Sequence, residues 1–291
     1  MSNTAELVVD AKAELGEGPL WDPSRQRLYW VDILQKHLHI YDPVSNTDRI
    51  VIVEQMPGTV VVRKRGGLML AVEGGFAEFD SESGNFSIIH DPESDIPGNR
   101  FNDGKCDPAG RFWAGTMEFH GKPDCGNLYR LDTDLTVHKV LENVSISNGI
   151  VWSADAKTMY FIDSLTRRVD AFNYDNASGD ISNRRTACSL APGKDMPDGM
   201  AIDVEGCLWV AHFYGNCVSR WDPRTGSQIG KISVPAGQVT ACAFGGANLD
   251  ELYITTARED KEALGEDEPV AGGLFKAIPG VKGAPTFEFA G

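Results

Sequence analysis

Four short stretches of the chain place a carboxylate or amide side chain beside a glycine, just ahead of an apolar run. They are Gly16-Glu17-Gly18, Asn102-Asp103-Gly104, Asn148-Gly149 and Asp198-Gly199. Carboxylate and amide oxygens are the ligands that hard cations such as Ca²⁺, Mg²⁺ and Mn²⁺ prefer, whereas softer ions prefer thiolates. If these stretches converge, Glu17, Asn148 and Asp198 could hold one divalent cation and leave positions for water or a substrate, as a catalytic site requires.

A plainer interpretation is that the same residues form turns. Asn-Gly and Asp-Gly are common in tight hairpin turns, and one such pair on its own would be assigned to a turn. Recurrence of the pattern at equivalent positions of several repeats shifts the balance toward a functional site. The choice therefore depends on whether the chain is built from repeats.

A strand pattern does recur six times along the chain. Each copy is a short apolar run that follows a turn rich in Asp, Pro, Gly, Ser or Asn, which is typical of strands joined by hairpins. The copies span residues 27–32, 67–73, 111–116, 158–163, 207–212 and 251–256. They begin roughly 40 to 50 residues apart, the period expected of a four-stranded propeller blade.

This spacing predicts an all-β fold: a six-bladed β-propeller with four-stranded antiparallel blades, formed by residues 1–291 as a single domain. A β-sandwich would also alternate strands with turns, but it does not explain six matching units. We expect the strand-like run 5–11 to pair with the last blade and close the ring, which removes an exposed edge. Residues 286–289 could add a further strand there, and the charged stretch 259–269 predicts a surface loop.

Propeller geometry would bring the candidate ligands together. When a blade begins at the axis, the start of its first strand and the loop after its second strand lie on the same face of the disc. The oxygens of Glu17, Asn148 and Asp198 should therefore converge on the axis at that face. His212 follows the second strand of the fifth unit, so it is a candidate substrate contact, with a plain loop histidine as the alternative.

The charge, hydropathy and cysteine pattern of the chain argue against several classes of partner and site. The formal net charge of -15 argues against a nucleic-acid partner, because phosphate contacts need a basic surface. No apolar run approaches the roughly 20 residues of a membrane span, and the N-terminus has no leader pattern. The six cysteines form no CxxC pair, which argues against a zinc ribbon or a disulfide framework. We therefore expect a reduced, cytoplasmic protein with no nucleic-acid and no membrane partner.

Five motifs, taken together and in this order, resemble the SMP-30/gluconolactonase family of regucalcin-like proteins and bacterial sugar lactonases. They span residues 16–21, 100–105, 115–117, 147–149 and 197–199. The resemblance covers nearly the whole chain. It implies a six-bladed propeller that binds one divalent cation and hydrolyses sugar lactones to aldonic acids in carbohydrate catabolism. Ca²⁺ is the first choice of cation, with Zn²⁺, Mg²⁺, Mn²⁺ and Fe²⁺ as alternatives.

The resemblance also implies catalytic and metal-binding roles. Glu17, Asn148 and Asp198 would be the metal ligands. Asp198 is the first choice of general base for the attacking water, although binding a cation should lower its basicity. Asp103 would support the site and is the alternative base.

Substrate contacts follow from the same resemblance. Arg100 and Asn102 would contact the sugar lactone, and an acidic residue shortly after Gly-Thr-Met would bind its hydroxyl groups. Glu118 occupies that place, but the local spacing varies in the family, so Glu118 is the weaker assignment.

The sequence leaves two other functions open. One is a calcium-dependent phosphotriesterase or aryl-esterase, since related calcium propellers use a similar axial site. The other is a non-catalytic propeller that binds a metal or a ligand without turnover. For the lactonase, we expect a small-molecule sugar lactone as the partner and a monomer or weak homodimer as the assembly.

Overall fold

The computed structural model describes residues 3–259 and 268–291, and it confirms the six-bladed β-propeller. Each blade is an antiparallel four-stranded sheet; the first strand in chain order lies innermost in five blades, and β22 lies innermost in the sixth. In chain order the strands are β1 (Glu6–Val9), β2 (Gly16–Asp22), β3 (Arg27–Asp32), β4 (His37–Asp42), β5 (Thr47–Ile52), β6 (Pro57–Val62), β7 (Leu68–Val72), β8 (Gly75–Phe79), β9 (Phe86–His90), β10 (Asn99–Cys106), β11 (Phe112–Glu118), β12 (Gly126–Leu131), β13 (Val137–Val144), β14 (Ser147–Trp152), β15 (Thr158–Asp163), β16 (Arg168–Tyr174), β17 (Ile181–Ser189), β18 (Met196–Ile202), β19 (Leu208–Phe213), β20 (Cys217–Asp222), β21 (Ser227–Ser233), β22 (Val239–Gly245), β23 (Glu251–Thr256) and β24 (Leu274–Ala277).

The innermost strands form a closed ring. They contact one another in the cyclic order β2, β6, β10, β14, β18, β22 and back to β2. The sixth blade is completed by the N-terminal strand, because β1 pairs with β24 through Glu6 opposite Lys276. The predicted closure by the N-terminal strand is therefore confirmed.

Burial falls from the axis outward. Every residue of β2 and β14 is buried, whereas most residues of the outermost strands β5 and β21 are exposed or half-buried. Inner strands pack against both neighbouring blades, and side chains between blades form the apolar core. Polar side chains on an inner strand are consequently withdrawn from bulk water and need a partner.

Each innermost strand has a β-bulge at an equivalent position. Its pairing with the second strand of the blade shifts register once, directly after Glu17, Pro57, Phe101, Ser147, Pro197 and Val239. Such β-bulges redirect side chains and are common next to active sites. Six of them make a ring of irregular backbone around the axis.

The C-terminal segment departs from the sequence prediction. Phe289 forms a parallel bridge with Arg63, and the Ala290 N–H donates to the carbonyl of Gly110 at 2.9 Å. The prediction that residues 286–289 extend the last blade is wrong, because this segment pairs with the second and third blades. Most of the loop predicted over 259–269 lies outside the described residues.

The described part of the chain has one helical element, the 3₁₀ turn Ser164–Thr166. No helix in that part is long and apolar enough to cross a membrane.

Candidate active site

The candidate ligands lie within innermost strands and not in turns. Asn148 is in β14 and Asp198 in β18, each at the bulge of its strand. A Cβ at Gly149 would lie 2.8 Å from the backbone nitrogen of Met200, closer than real side chains pack. The turn interpretation is therefore wrong for these two pairs: here the glycine permits neighbouring inner strands to approach each other.

Three buried oxygens at these bulges have no hydrogen-bond donor among the described residues. They are Asn148 Oδ1, Asp198 Oδ1 and Asp103 Oδ2. An unpaired buried polar atom costs about 1–3 kcal/mol, so native proteins seldom keep one without a purpose. Oxygens of this kind are what a hard divalent cation coordinates, and these residues therefore fit such a cation.

The other atoms of these side chains are held in place. The Gly18 N–H donates to Glu17 Oε2 at 3.0 Å, and the Gly104 N–H donates to Asp103 Oδ1 at 2.7 Å. Asn148 Nδ2 donates to Ser164 Oγ at 2.9 Å. Asp103 and Asn148 thus each use one polar atom to fix the direction of the side chain and leave another unpaired.

The buried carboxylates repel one another. Burial, and then the negative charge of Asp103, raises the pKa of Glu17 to about 8. Burial also raises the pKa of Asp198 well above its usual range, and the charges of Glu17 and Asp103 act in the same direction. A bound cation would reverse this effect, because it favours the ionised carboxylates.

Arg100 and Asn102 lie on β10 next to this group. Arg100 Nη1 donates to Asn102 Oδ1 at 2.8 Å, and Asn102 Nδ2 donates to the Ser147 carbonyl at 2.8 Å. Burial lowers the pKa of the Arg100 guanidinium, but the charges of Glu259, Glu17 and Asp198 oppose the shift and the group stays charged. Arg100 Nε is buried and has no acceptor among the described residues.

Glu118 is engaged in a turn at the end of β11. Its Oε2 accepts hydrogen bonds from the backbone N–H groups of His120 at 2.9 Å and Lys122 at 3.1 Å. These two hydrogen bonds, of which the one from Lys122 has the larger effect, lower the pKa of Glu118. The part of the chain that the structure describes gives Glu118 no hydrogen bond to the axial residues.

His212 is engaged within the fifth blade. Its Nδ1 lies 2.7 Å from Asp195 Oδ2 and its Nε2 lies 2.6 Å from Ser219 Oγ. The Asp195 carboxylate only accepts, so Nδ1–H donates to it; burial lowers the pKa of His212 and favours the neutral ring, whose Nε2 then accepts from the Ser219 hydroxyl. Both ring nitrogens are therefore used, and among the described residues no hydrogen bond joins His212 to Arg100 or Asn102.

Two residues at the site were missed in the sequence. Ser164 contacts Asn148, and it could have been found, because it directly follows the second strand of its blade; His212, predicted to follow such a strand, instead lies within β19. Glu259 acts electrostatically on Arg100 and Asp198, and burial raises its own pKa while Arg100 opposes the shift. Nothing in the charged stretch after β23 distinguishes Glu259.

Among the described residues, no group of three His, Cys, Asp or Glu side chains is arranged to hold a metal ion. A cation at the axis would therefore depend on the amide oxygen of Asn148 as well as on carboxylates.

Comparison with known proteins identifies the family. A family model described as the SMP-30/gluconolactonase/LRE-like region matches residues 15–258. The chain belongs to this family. The resemblance read from its motifs is thereby confirmed.

Individual relatives align with this chain over nearly its whole length. A Bacillus subtilis (strain 168) protein with the provisional name sugar lactone lactonase YvrE is 41% identical and covers 99% of both chains. Regucalcin of Xenopus laevis is 41% identical, with 98% of both chains covered. The structure of a calcium-binding regucalcin from Agrobacterium tumefaciens str. C58 matches with a TM-score of 0.91, 29% identity and 99% and 97% coverage.

Proposed function

We propose that the protein is a divalent-cation-dependent hydrolase that opens sugar lactones to aldonic acids in carbohydrate metabolism. The observation that carries the proposal is the set of unpaired buried oxygens on Asn148, Asp198 and Asp103, with the free Nε–H of Arg100 beside them. Acceptors without a donor suit a cation, and a cationic donor without an acceptor suits an oxygen-rich substrate. The name of the Bacillus subtilis relative supports the same substrate class.

Glu17, Asn148 and Asp198 would hold the cation. Ca²⁺ is the first choice, because the ligands are hard oxygens and the Agrobacterium relative is described as calcium-binding. When bound, the cation supplies Lewis-acid polarisation of the lactone carbonyl and stabilises the negative charge that develops on its oxygen.

Asp198 would serve as the general base that takes a proton from the attacking water. Its burial and its negative neighbours raise its pKa, which offsets the loss of basicity that a nearby cation causes. Asp103 Oδ2 is also unpaired, so Asp103 is the second candidate for this role.

Arg100 and Asn102 would position the substrate. The Asn102 side chain is held at its oxygen by Arg100 and at its nitrogen by the Ser147 carbonyl, so its position beside the substrate would be fixed. Arg100 Nε–H would donate to a hydroxyl or carbonyl oxygen of the lactone. Such orientation lowers the entropic part of the barrier to attack.

The deciding experiment measures acid release from glucono-, xylono-, arabinono- and galactonolactone. Wild-type protein is assayed with Ca²⁺, after chelation, and after restoration with Ca²⁺, Zn²⁺, Mg²⁺ or Mn²⁺, with Asp198→Asn alongside. Turnover that disappears on chelation and in the variant supports the proposal and ranks the substrates.

Other results would favour one of the two alternative functions. Cation-dependent cleavage of phosphotriesters or aryl esters with no lactone turnover would favour the esterase alternative. Cation binding without hydrolysis of any of these esters would favour a binding protein.

A further inference from the structure

We infer that Ser164 is a positioning residue that turns the Asn148 amide so that its oxygen, and not its nitrogen, faces the cation. The inference rests on the proposed function, since it concerns the proposed cation site. The carrying observation is a juxtaposition: Asn148 Nδ2 donates to Ser164 Oγ at 2.9 Å, while Asn148 Oδ1 is buried without a donor among the described residues.

An asparagine ligand has a problem that a carboxylate ligand does not have. One end of the amide is an oxygen that can coordinate a cation, whereas the other is an NH₂ group that repels it. The two orientations have nearly the same shape, so packing alone does not choose between them. A hydroxyl that accepts from the NH₂ group on the far side of the amide holds that group away from the cation, and a flipped amide would have to take the proton of the same hydroxyl instead.

Ser164 is placed firmly enough to do this. It is 3% exposed, and its backbone N–H donates to the Ile146 carbonyl at 3.1 Å. The 3₁₀ turn that it begins is closed by Arg167, which has a left-handed φ of 56° and donates its N–H to the Ser164 carbonyl at 3.1 Å. The hydroxyl therefore stands on a fixed backbone directly before β16.

The same NH₂ group has a second acceptor. The Asn148 side chain also hydrogen-bonds the Asp198 carboxylate, an effect that opposes the rise in the pKa of Asp198, and only the NH₂ end of an amide can donate to a carboxylate. Asn102 on the neighbouring strand is oriented in a similar way, because its NH₂ group donates to the acceptor-only carbonyl of Ser147. Ser164 supplies for Asn148 the acceptor that Ser147 supplies for Asn102.

The test measures Ca²⁺ affinity of the full chain by titration calorimetry, with no reliance on turnover. Ser164→Ala should weaken Ca²⁺ binding about tenfold or more, the usual effect of removing a group that orients a metal ligand. Ser164→Thr, which keeps the hydroxyl, should restore most of the affinity. Ser145→Ala is the matched control: Ser145 is a nearby buried serine whose hydroxyl contacts Asp124, so its loss should leave the affinity unchanged.

A second experiment, in the Asn148→Asp variant, distinguishes a role of Ser164 in orienting the amide from a general role in stabilising its loop. In Asn148→Asp both terminal atoms are oxygens, so no orientation has to be chosen. Adding Ser164→Ala to that variant should change Ca²⁺ affinity by no more than about twofold, the scatter of independent sites. An equal loss in both backgrounds would show that Ser164 only supports the fold, and the inference would be overturned.

The remaining outcomes are also decisive. Wild-type affinity in Ser164→Ala would overturn this inference while leaving the proposed function standing. Absence of Ca²⁺, Zn²⁺, Mg²⁺ and Mn²⁺ binding by the wild-type protein would overturn the proposed function, and the inference with it.

Discussion

Two aspartates at the innermost strand of the fifth blade have opposite surroundings. Asp198 lies at the bulge of β18 and Asp203 directly follows the same strand, and both are buried. Asp203 Oδ1 accepts from two backbone N–H groups, and its Oδ2 accepts from Trp209 Nε1 at 2.9 Å and Arg220 Nε at 2.8 Å. Asp198 Oδ1 has no donor among the described residues.

The third blade repeats the contrast. Asp103 lies at the bulge of β10 with Oδ2 unpaired, whereas Asp107, which follows the strand, accepts from Arg111 Nε at 2.6 Å and Trp113 Nε1 at 2.8 Å. A buried carboxylate with every lone pair satisfied stabilises the blade. A buried carboxylate oxygen left unpaired at the axis costs stability, and we propose that it is kept for the cation.

The largest expected effect comes from removing the unpaired charge in β18. Asp198→Asn should lower kcat/KM for a sugar lactone about 10³-fold or more, because it removes the proposed base together with the negative charge of a proposed ligand. The same change should raise the unfolding free energy of chelated protein, since one of the mutually repelling carboxylates is gone. Lactone assays and urea unfolding in chelator check the two parts.

Lower stability of chelated Asp198→Asn would contradict the contrast drawn between the two aspartates. Wild-type protein unfolded with and without Ca²⁺ is the control, and it should be more stable with Ca²⁺.

The paired aspartate should behave in the opposite way. Asp203→Asn leaves Arg220 with a weakened partner and should lower the unfolding free energy by about 3 kcal/mol, the lower end for breaking a buried ion pair. Its Ca²⁺ affinity and kcat should stay near wild type under conditions where it is folded. Asp107→Asn is the matched variant in the third blade, and a loss of cation binding in either variant would refute the division into structural and ligand carboxylates.

A pH effect of intermediate size follows from Glu17. Its pKa in the folded chain is about 8, above its ordinary value of 4.5, so the folded state binds more protons than the unfolded state between these values. The unfolding free energy of chelated protein should therefore fall as the pH rises from about 4.5 to 8. Saturating Ca²⁺, which binds the ionised form, should remove the fall.

Glu17→Gln is the control for this pH effect. It cannot ionise, so chelated Glu17→Gln should show a shallower decline across the same pH range. An identical decline in the variant would show that other groups are responsible.

Much of this molecule could be predicted from its sequence, for physical reasons. Six strand patterns at a blade-length spacing have one simple closed arrangement, and that arrangement places Glu17, Asn148 and Asp198 on inner strands. What could not be predicted was which polar groups remain unpaired. His212 lies near the end of the second strand of its blade and Ser164 directly follows the second strand of its own, but only the three-dimensional contacts show that His212 bonds Ser219 while Ser164 bonds Asn148.

The smallest expected effect tests that distinction at His212. Both of its ring nitrogens are satisfied by Asp195 and Ser219, so His212→Gln should lower the unfolding free energy by about 1–2 kcal/mol, as expected for one or two lost hydrogen bonds. Since no hydrogen bond of the ring reaches the axial residues, kcat/KM should stay within about twofold of wild type. A rise in KM at unchanged stability would instead place His212 at the substrate, as its position in the sequence suggested, and would require the ring to leave Ser219 when the lactone binds.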